Sequence, residues 1–280
     1  MRLSVRHVTT YAYDPAPERC ALRLKLYPSV FEAQQVDNWK VSVNGAAVPA
    51  LLTTGMGDRE SIWTAREPQE KVEIIAEGEV TTTDAAGLVR GLREMARPAV
   101  FLRESPLATA DTAIAALAQG AAGGSTVDRL HALCAAISDT IEYVPGSTDT
   151  RTPAALALKR GSGVCQDHAH VMIAGARSMG VPARYVVGYL LAEEDSVTQT
   201  HAWAEAFVPE LGWIGFDPAN RLCPTERYVR LACGLDSDDA APIRGSLSGH
   251  GGEMLVANVD ISQTRQAQDQ GRQGQNQGQQ

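Results

Sequence analysis

The chain has 280 residues, of which 44% are hydrophobic, and its formal net charge at pH 7 is -8. This length is sufficient for a sizeable core in one elaborated domain or in two. The modest acidic charge is spread along the chain, which argues against nucleic acid as a partner. No segment approaches the roughly 18–20 apolar residues of a membrane span, and the first residues lack the apolar stretch of a secretory signal. We therefore expect a cytoplasmic protein that has no membrane partner.

The first 88 residues show the period-two alternation of antiparallel strands that bury one face. Apolar and polar side chains alternate in the segments 22–27, 39–44 and 72–77, and Pro, Gly and Asn lie between these segments. No cluster of catalytic side chains is present here, and His7 is interpreted as a packing or surface residue. Residues 1–88 are therefore predicted to form an N-terminal antiparallel β region.

The periodicity becomes helical after residue 88. Ser125 and Asp128 resemble a capping box, and apolar residues follow them at the spacing of an amphipathic helix. A second helix is predicted to begin with Thr152 as its N-cap and Pro153 at its first position, and to end at Gly161.

Cys165 is the one cysteine whose neighbours in the sequence indicate chemistry. An odd set of five cysteines without a CxxC pair argues against a disulfide framework and a structural zinc site. Residues 161–168, Gly-Ser-Gly-Val-Cys-Gln-Asp-His, precede an alanine-rich apolar segment, which predicts a thiol at the start of a buried helix. Free N–H groups and the helix dipole favour a thiolate there. A buried packing cysteine is the alternative, and the glycines and the polar first turn favour the nucleophile.

His201 and Asp217 are predicted to act with Cys165. Residues 201–208 alternate as a strand, 209–212 form a turn, and the returning strand ends at Asp217. Neighbouring strands bring such side chains within hydrogen-bonding reach, so Asp217 would orient His201 as the base for the thiol. The structural alternatives are a core histidine for His201 and a strand-ending turn for Asp217. The combination of both residues with Cys165 favours a catalytic triad.

A metal site is the competing interpretation of this segment, since Cys165, His168 and His170 are all residue types that bind metals. On one helix, residues 168 and 170 point about 200° apart, because successive residues turn by about 100°. They cannot converge on one ion, so we predict no metal, and a polarised thiol requires no organic cofactor. Asp167 and His168 are interpreted as setting the local electrostatics or capping the helix.

Three further residues are candidates for the oxyanion site or the substrate cleft. Tyr143 lies just upstream of the nucleophile helix, Gln166 lies in its first turn, and Trp203 lies on the strand of His201. The alternatives are a half-buried tyrosine at a helix end and, for Trp203, ordinary core packing.

These segments resemble the bacterial transglutaminase-like proteins, within the papain-like cysteine-enzyme superfamily. Residues 161–190 resemble the nucleophile helix and following strand of that family, and residues 200–220 resemble its His and Asp strands. Residues 1–28, with Trp39, are similar to the β-rich region that precedes this core, and residues 242–249 to its C-terminal segment. The resemblance implies an α+β fold in which a papain-like core of helices packed on an antiparallel sheet follows the β region.

The resemblance implies that Cys165 is the nucleophile, His201 the general base and Asp217 the orienting acid. The expected chemistry is acyl transfer from a peptide or protein amide through a thioester. The alternatives are hydrolysis of the same bond by a cysteine peptidase or amidase, and a non-catalytic binding module on the same fold. We expect residues 1–88 to form the N-terminal region, 89–262 the catalytic core with a C-terminal strand, and 263–280 a disordered glutamine-rich tail.

Overall fold

The computed structural model describes residues 1–191, 200–249 and 252–264. A strand-rich N-terminal region is followed by helices and further strands, which confirms the predicted α+β class. None of the helices in these residues is both long enough and apolar enough to cross a membrane.

The strands carry the labels used below. They are β1 (Arg2–Asp14), β2 (Arg19–Tyr27), β3 (Gln34–Val43), β4 (Ala46–Ala47), β5 (Leu52–Thr53), β6 (Arg59–Ala65), β7 (Lys71–Thr82), β8 (Leu88–Val89), β9 (Glu142–Tyr143), β10 (Ser162–Gly163), β11 (Ala183–Leu190), β12 (Thr200–Val208), β13 (Gly212–Phe216), β14 (Tyr228–Gly234), β15 (Ile243–Ser248) and β16 (Gly252–Gln263). The helices are a 3-10 turn (Pro98–Leu102), α1 (Thr112–Gly120), α2 (Thr126–Thr140), α3 (Ala154–Arg160), α4 (Cys165–Ser178) and α5 (Ser237–Ala240).

Two sheets face each other in the N-terminal β region, with the strand orders β16-β1-β7-β3-β4 and β15-β2-β6-β5. Their shared core consists of the apolar residues whose alternation predicted these strands. It includes Leu22, Leu24, Leu26, Val41, Val43, Val72, Ile74 and Ala76. The predicted alternation of β2, β3 and β7 is therefore confirmed, because one face of each strand packs against the opposite sheet.

The last two strands return to this β region rather than to the helices. β16 pairs antiparallel with β1, and β15 pairs antiparallel with β2. Gln263 belongs to this pairing, opposite Leu3, so its assignment to a disordered tail is wrong: its backbone is fixed by the ladder with β1. The tail from residue 265 onward lies outside the described residues.

The second half of the chain, which holds the helices, contains an antiparallel sheet with the order β14-β11-β12-β13-β8. Helix α4 packs against β12 and β11, and most of its side chains are buried. At Gly175 a Cβ atom would lie 2.9 Å from a methyl carbon of Leu133, so the glycine permits close packing of α4 on α2. The sheet and the surrounding helices hold α4 on all sides, which fixes the position of its first residue.

The helix boundaries follow the capping residues closely. Ser125 and Asp128 form the predicted capping box of α2, because each side chain accepts from the backbone N–H of the other. The predicted N-cap of α3 is wrong by one residue: Pro153 takes that place, since the Thr152 hydroxyl donates to Asp149 instead. Gly161 ends α3 with a φ of 67°, in the left-handed region that favours glycine.

A buried network of charged side chains connects the two halves. Glu205 of β12 is fully buried between the guanidinium groups of Arg184 and Arg230, with contacts of 2.6 and 2.9 Å. Arg230 also approaches Asp58 of the β region. The Asp58 carboxylate in turn binds the Lys25 ammonium group at 3.3 Å. Burial opposes the charge on Glu205, yet the two arginines outweigh it and lower the pKa of this carboxyl.

His7 connects the halves a second time. Its imidazole lies 3.0 Å from the Tyr189 hydroxyl of β11 and 3.0 Å from the Thr9 hydroxyl. Burial lowers the pKa of His7 to about 4. The interpretation of His7 as a packing residue therefore agrees with its buried position between β1 and β11.

Candidate active site

Cys165 is the first residue of α4 and is partly exposed. Its thiol lies where the first N–H groups of the helix have no intrahelical acceptor and where the positive end of the helix dipole is located. The short parallel pair of β9 and β10 leads the chain into this helix start, with Gly163 opposite Tyr143.

Asp167 fixes the turn in front of Cys165. Its Oδ2 accepts a hydrogen bond of 2.8 Å from Val164 N–H and one of 2.6 Å from the Thr148 hydroxyl. A Cβ atom at Gly163 would lie only 2.7 Å from the Asp167 Cβ, so this position requires glycine. The capping function expected for Asp167 is thus what the structure shows.

His201 lies between Cys165 and Asp217. Its Nε2 donates to Asp217 Oδ2 at 2.6 Å, and Cys165 lies close enough to raise the pKa of the imidazole. Since Asp217 occupies Nε2, Nδ1 is the nitrogen left to exchange a proton with the sulfur. The structure therefore brings Cys165, His201 and Asp217 together, in the order sulfur, imidazole and carboxylate, with a hydrogen bond between the last two.

Asp217 is fully buried and accepts hydrogen bonds from several donors besides His201. The Tyr228 hydroxyl donates to Oδ2 at 2.7 Å and the Asn220 amide donates to it at 2.8 Å. The backbone N–H groups of Ala219 and Asn220 donate to Oδ1 at 3.1 and 3.3 Å. These bonds satisfy the carboxylate and fix the direction in which it holds the imidazole.

The charges of this pair follow from their contacts. Burial acts against the charge of both groups, but the mutual hydrogen bond outweighs it and lowers the pKa of Asp217. For His201, the hydrogen bond with Asp217 and the charges of Asp217 and Cys165 overcome burial and raise the pKa to about 10. An imidazolium between a carboxylate and a sulfur is the arrangement expected of a group that takes up and returns a proton.

Sequence reasoning did not find Tyr228 or the positioning function of Asn220. Asn220 belongs to the Asp-Pro-Ala-Asn turn whose geometry follows from the sequence, so its proximity to Asp217 was available as a signal. Tyr228 had no such signal, because its contact depends on the pairing of β14 with β11.

Tyr143 and Gln166 lie beside the thiol. Tyr143 is half exposed, its ring is 6.2 Å from that of His168, and its pKa is raised by burial and by the nearby Cys165. The amide of Gln166 reaches the Thr150 carbonyl oxygen at 3.4 Å. Both remain candidates for contact with a substrate.

Trp203 lies elsewhere than the substrate cleft that the sequence suggested. It is 2% exposed, stacks with His201 at a centroid distance of 6.3 Å and meets Tyr228 edge-on. It lines a small separate cavity of about 40 Å³ behind the sheet rather than the cleft beside Cys165. Both faces of β12 are covered, so Trp203 supports the imidazole from the protein interior.

His168 and His170 have different partners. The ring nitrogens of His168 lie 2.9 and 3.0 Å from the carbonyl oxygens of Val164 and Ile141. His170 Nε2 accepts from the Ser237 N–H at 3.1 Å, and burial lowers the pKa of His170 to about 4. Their contacts hold α4 in place, and among the described residues no group of His, Cys, Asp and Glu is arranged to hold a metal ion.

A cleft of about 490 Å³ adjoins the site. Gln166 and Thr200, the neighbours of Cys165 and His201 in sequence, lie in its wall. Tyr185 forms part of the wall below them, and burial together with the nearby Cys165 raises its pKa, so its phenol stays protonated. The opposite wall comes from the β region and its C-terminal strands: Tyr11, Tyr13, Leu22, Ile243, Arg244, Gly245, Leu247 and Glu253.

Comparison with known families identifies this arrangement. The model of the transglutaminase-like superfamily matches residues 114–218, which contain Cys165, His201 and Asp217. The model of the bacterial transglutaminase-like N-terminal region matches residues 3–81, which correspond to β1–β7. Residues 114–218 belong to the transglutaminase-like superfamily. The resemblance in the nucleophile and histidine segments is thus confirmed at the level of the family.

Relatives of this transglutaminase-like chain share parts of its sequence. An uncharacterised protein of Mycobacterium leprae is 39% identical over 128 residues, which are 44% of this chain and 45% of the relative. A protein-glutamine gamma-glutamyltransferase of Pseudomonas aeruginosa is 31% identical over 125 residues, 39% of this chain and 19% of that enzyme. The match therefore spans less than half of either relative.

One solved structure has the same fold over nearly the whole length. It is a candidate cysteine protease from Cytophaga hutchinsonii, with a TM-score of 0.74 at 23% sequence identity. The alignment covers 95% of this chain and 92% of that protein, so the β region and the half that holds the helices occur together in both.

Proposed function

We propose that this transglutaminase-like chain is a cysteine acyltransferase that acts on peptide or protein amides through a thioester on Cys165. The observation that carries the proposal is the placement of Cys165 beside an imidazole, His201, that is hydrogen-bonded to the buried Asp217. A nucleophile, a base and an orienting acid in this geometry are the requirements of acyl transfer by a thiol.

In the first half of the reaction, the Cys165 sulfur attacks the carbonyl carbon of the amide, and a carbon–sulfur bond forms. The proton from the thiol resides on His201, which passes it to the amide nitrogen as the carbon–nitrogen bond breaks. Ammonia or an amine leaves, and the acyl group remains on Cys165 as a thioester. The free N–H groups at the start of α4 would stabilise the oxyanion.

In the second half, a nucleophile attacks the thioester and His201 takes its proton. A primary amine gives a new amide and thus a cross-link, whereas water gives the free acid. In both cases the sulfur leaves the carbon and recovers its proton from His201. Asp217 keeps Nδ1 of the imidazole directed at the reacting atoms during both halves.

The test is incubation with a glutamine-containing peptide and an excess of a primary amine, followed by mass spectrometry of the products. Acyl transfer predicts the amine conjugate, and an acyl group trapped on Cys165 in the intact protein. Accumulation of the free acid alone would assign the chain to hydrolysis as a peptidase or amidase. Cys165→Ala should abolish either product, and Cys223→Ala, at a partly exposed cysteine outside the triad, serves as the matched control.

If the Cys165→Ala protein forms product at the wild-type rate, acyl transfer through this thiol is wrong. If wild type forms neither product nor thioester from a broad peptide mixture, the non-catalytic binding module is the better description.

A further inference from the structure

β15 presents an open backbone edge. Among the described residues it pairs with β2 alone. The carbonyl groups of Pro242 and Ser248 point toward β2, where they accept from Lys25 N–H and Glu18 N–H at 2.7 and 3.0 Å. Because backbone groups point to alternate sides along a strand, those of the odd-numbered residues point the other way. These residues are Ile243, Gly245 and Leu247.

The same three residues lie in the wall of the 490 Å³ cleft. Arg244 lines the cleft as well, so three consecutive residues of the strand face it. A strand that presents a face contributes alternate residues, whereas a strand that presents its edge contributes consecutive ones. The open edge of β15 therefore borders the cleft, and Gln166 and Thr200 connect that cleft to the catalytic residues.

The walls around this edge carry a definite charge pattern. Tyr11 and Tyr13 stack with parallel rings at 6.1 Å, and burial together with the nearby Glu253 carboxylate raises the pKa of Tyr11 to about 12. Asp238 is a second acidic residue in the wall, and Arg244 is the one basic residue among those that line it. Two carboxylates, one guanidinium and two aromatic rings favour a ligand with basic side chains over an acidic one.

We propose that the open edge of β15 binds the acyl donor as an extended polypeptide, which adds a strand to the sheet and places its reactive amide at Cys165. The inference rests on the proposed function, since it specifies the substrate of the same site. Only an extended backbone satisfies a row of alternating N–H and C=O groups, so the edge selects a polypeptide rather than a compact small amide. The acidic wall adds a preference for donors with lysine or arginine near the reactive glutamine.

The first test uses the Cys165→Ala protein, so that binding is measured without turnover. The probe is a blocked nine-residue peptide with a central glutamine and two lysines in an alanine and valine background. In a series of peptides that each carry one N-methylated amide, methylation at alternate positions should weaken binding about tenfold. Methylation at the positions between them should change the affinity less than twofold, because only alternate amides face β15. Replacing both lysines by glutamate should weaken binding further. Equal effects at successive positions, or no effect at any, would overturn the inference.

The second test changes the edge itself. Leu247→Pro removes one outward N–H from an edge strand, where proline is tolerated, and Leu247→Ala is the matched control that keeps it. The proline variant should bind the peptide about tenfold more weakly, and the alanine variant within about twofold of the parent protein. If Leu247→Pro does not fold, the N-methylated series on the intact edge still decides. If it turns a dimer into a monomer and leaves peptide affinity unchanged, a second copy of the chain occupies the edge and the inference is wrong.

A third measurement separates this inference from the proposed function. In a protein with Cys165 intact, Leu247→Pro should raise the KM for the nine-residue donor about tenfold relative to Leu247→Ala. Turnover of this donor at the wild-type KM in the Leu247→Pro protein would refute the edge and leave the acyl transfer standing. If N-methylation weakens binding at alternate positions but no thioester forms, the inferred edge stands and the proposed acyl transfer is wrong.

Discussion

The Tyr228 hydroxyl lies 2.7 Å from Asp217 Oδ2, the same oxygen that accepts the hydrogen bond from His201. A tyrosine on β14 thus holds the carboxylate whose direction sets the imidazole. Its pKa is raised by burial and by the Asp217 charge, so the phenol keeps its proton and remains a donor. Tyr228 is therefore a positioning residue: it acts on the thiol through two intermediate groups.

Replacing Tyr228 by phenylalanine should lower kcat about tenfold with little change in KM, because Asp217 loses one of the donors that orient it. Steady-state kinetics with a glutamine peptide and an amine measure both constants. Tyr189→Phe is the matched control, since Tyr189 is buried and hydrogen-bonded to His7, away from Asp217. A tenfold fall in kcat in the control as well would show that the effect is general destabilisation.

Cys165 should be alkylated near neutral pH at least tenfold faster than the other four cysteines. Burial raises the pKa of Cys20 and Cys223, and it raises the pKa of Cys134 and Cys233 to about 12. These thiols stay protonated and react slowly, whereas Cys165 has His201 beside it to take its proton. Peptide mapping after brief iodoacetamide treatment measures each site, and His201→Asn should slow Cys165 at least tenfold. Uniform labelling would contradict the activated thiol.

The stabilising effect of His201 should depend on pH in the alkaline range. Its pKa rises from 6.5 to about 10 on folding, so the protonated imidazole stabilises the fold fully below pH 6.5. This contribution is lost as the pH rises toward about 10. Urea titrations between pH 6 and 10.5 measure the free energy of unfolding of wild type and of His201→Gln. The difference between the two should decrease steadily as the pH rises. A difference that stays constant over this interval would show that His201 is not charged in the folded protein.

Glu205→Gln should destabilise the protein by about 3–5 kcal/mol, because it leaves two buried guanidinium groups without their shared counter-charge. The pKa of Glu205 is lowered on folding, so its contribution is present above its ordinary pKa near 4.5 and is lost as the pH falls below that value. Glu73→Gln is the control, since its pair with Lys71 is exposed and should contribute less than about 1 kcal/mol. Equal losses in both variants, measured by urea denaturation at pH 7, would mean that the buried network adds nothing.

Much of the candidate site could be predicted because its signals are local. The glycines before Cys165, the alternation that begins at His201 and the turn after Asp217 each follow from a few neighbouring residues. The sequence also gives the chain order in which a hairpin brings the histidine and aspartate strands together.

The remaining features depend on contacts between distant segments. The alternation of β12 does not show that Glu205 is buried, because its charge is neutralised by Arg184 of β11 and Arg230 of β14. The interior position of Trp203 could not be predicted either, since residues that cover it, such as Tyr228, come from elsewhere in the chain. Likewise, no local pattern indicates that β15 and β16 complete sheets that begin at the first residues.

The pairing of β15 and β16 with β2 and β1 has a consequence for synthesis on the ribosome. β1 and β2 are made first, but each obtains its second neighbour only after more than two hundred further residues have been translated. Until then both strands keep unpaired backbone on one side, which is the condition that promotes intermolecular strand pairing. A nascent or prematurely terminated chain that ends before residue 243 therefore exposes the edges of β1 and β2 that β16 and β15 otherwise cover.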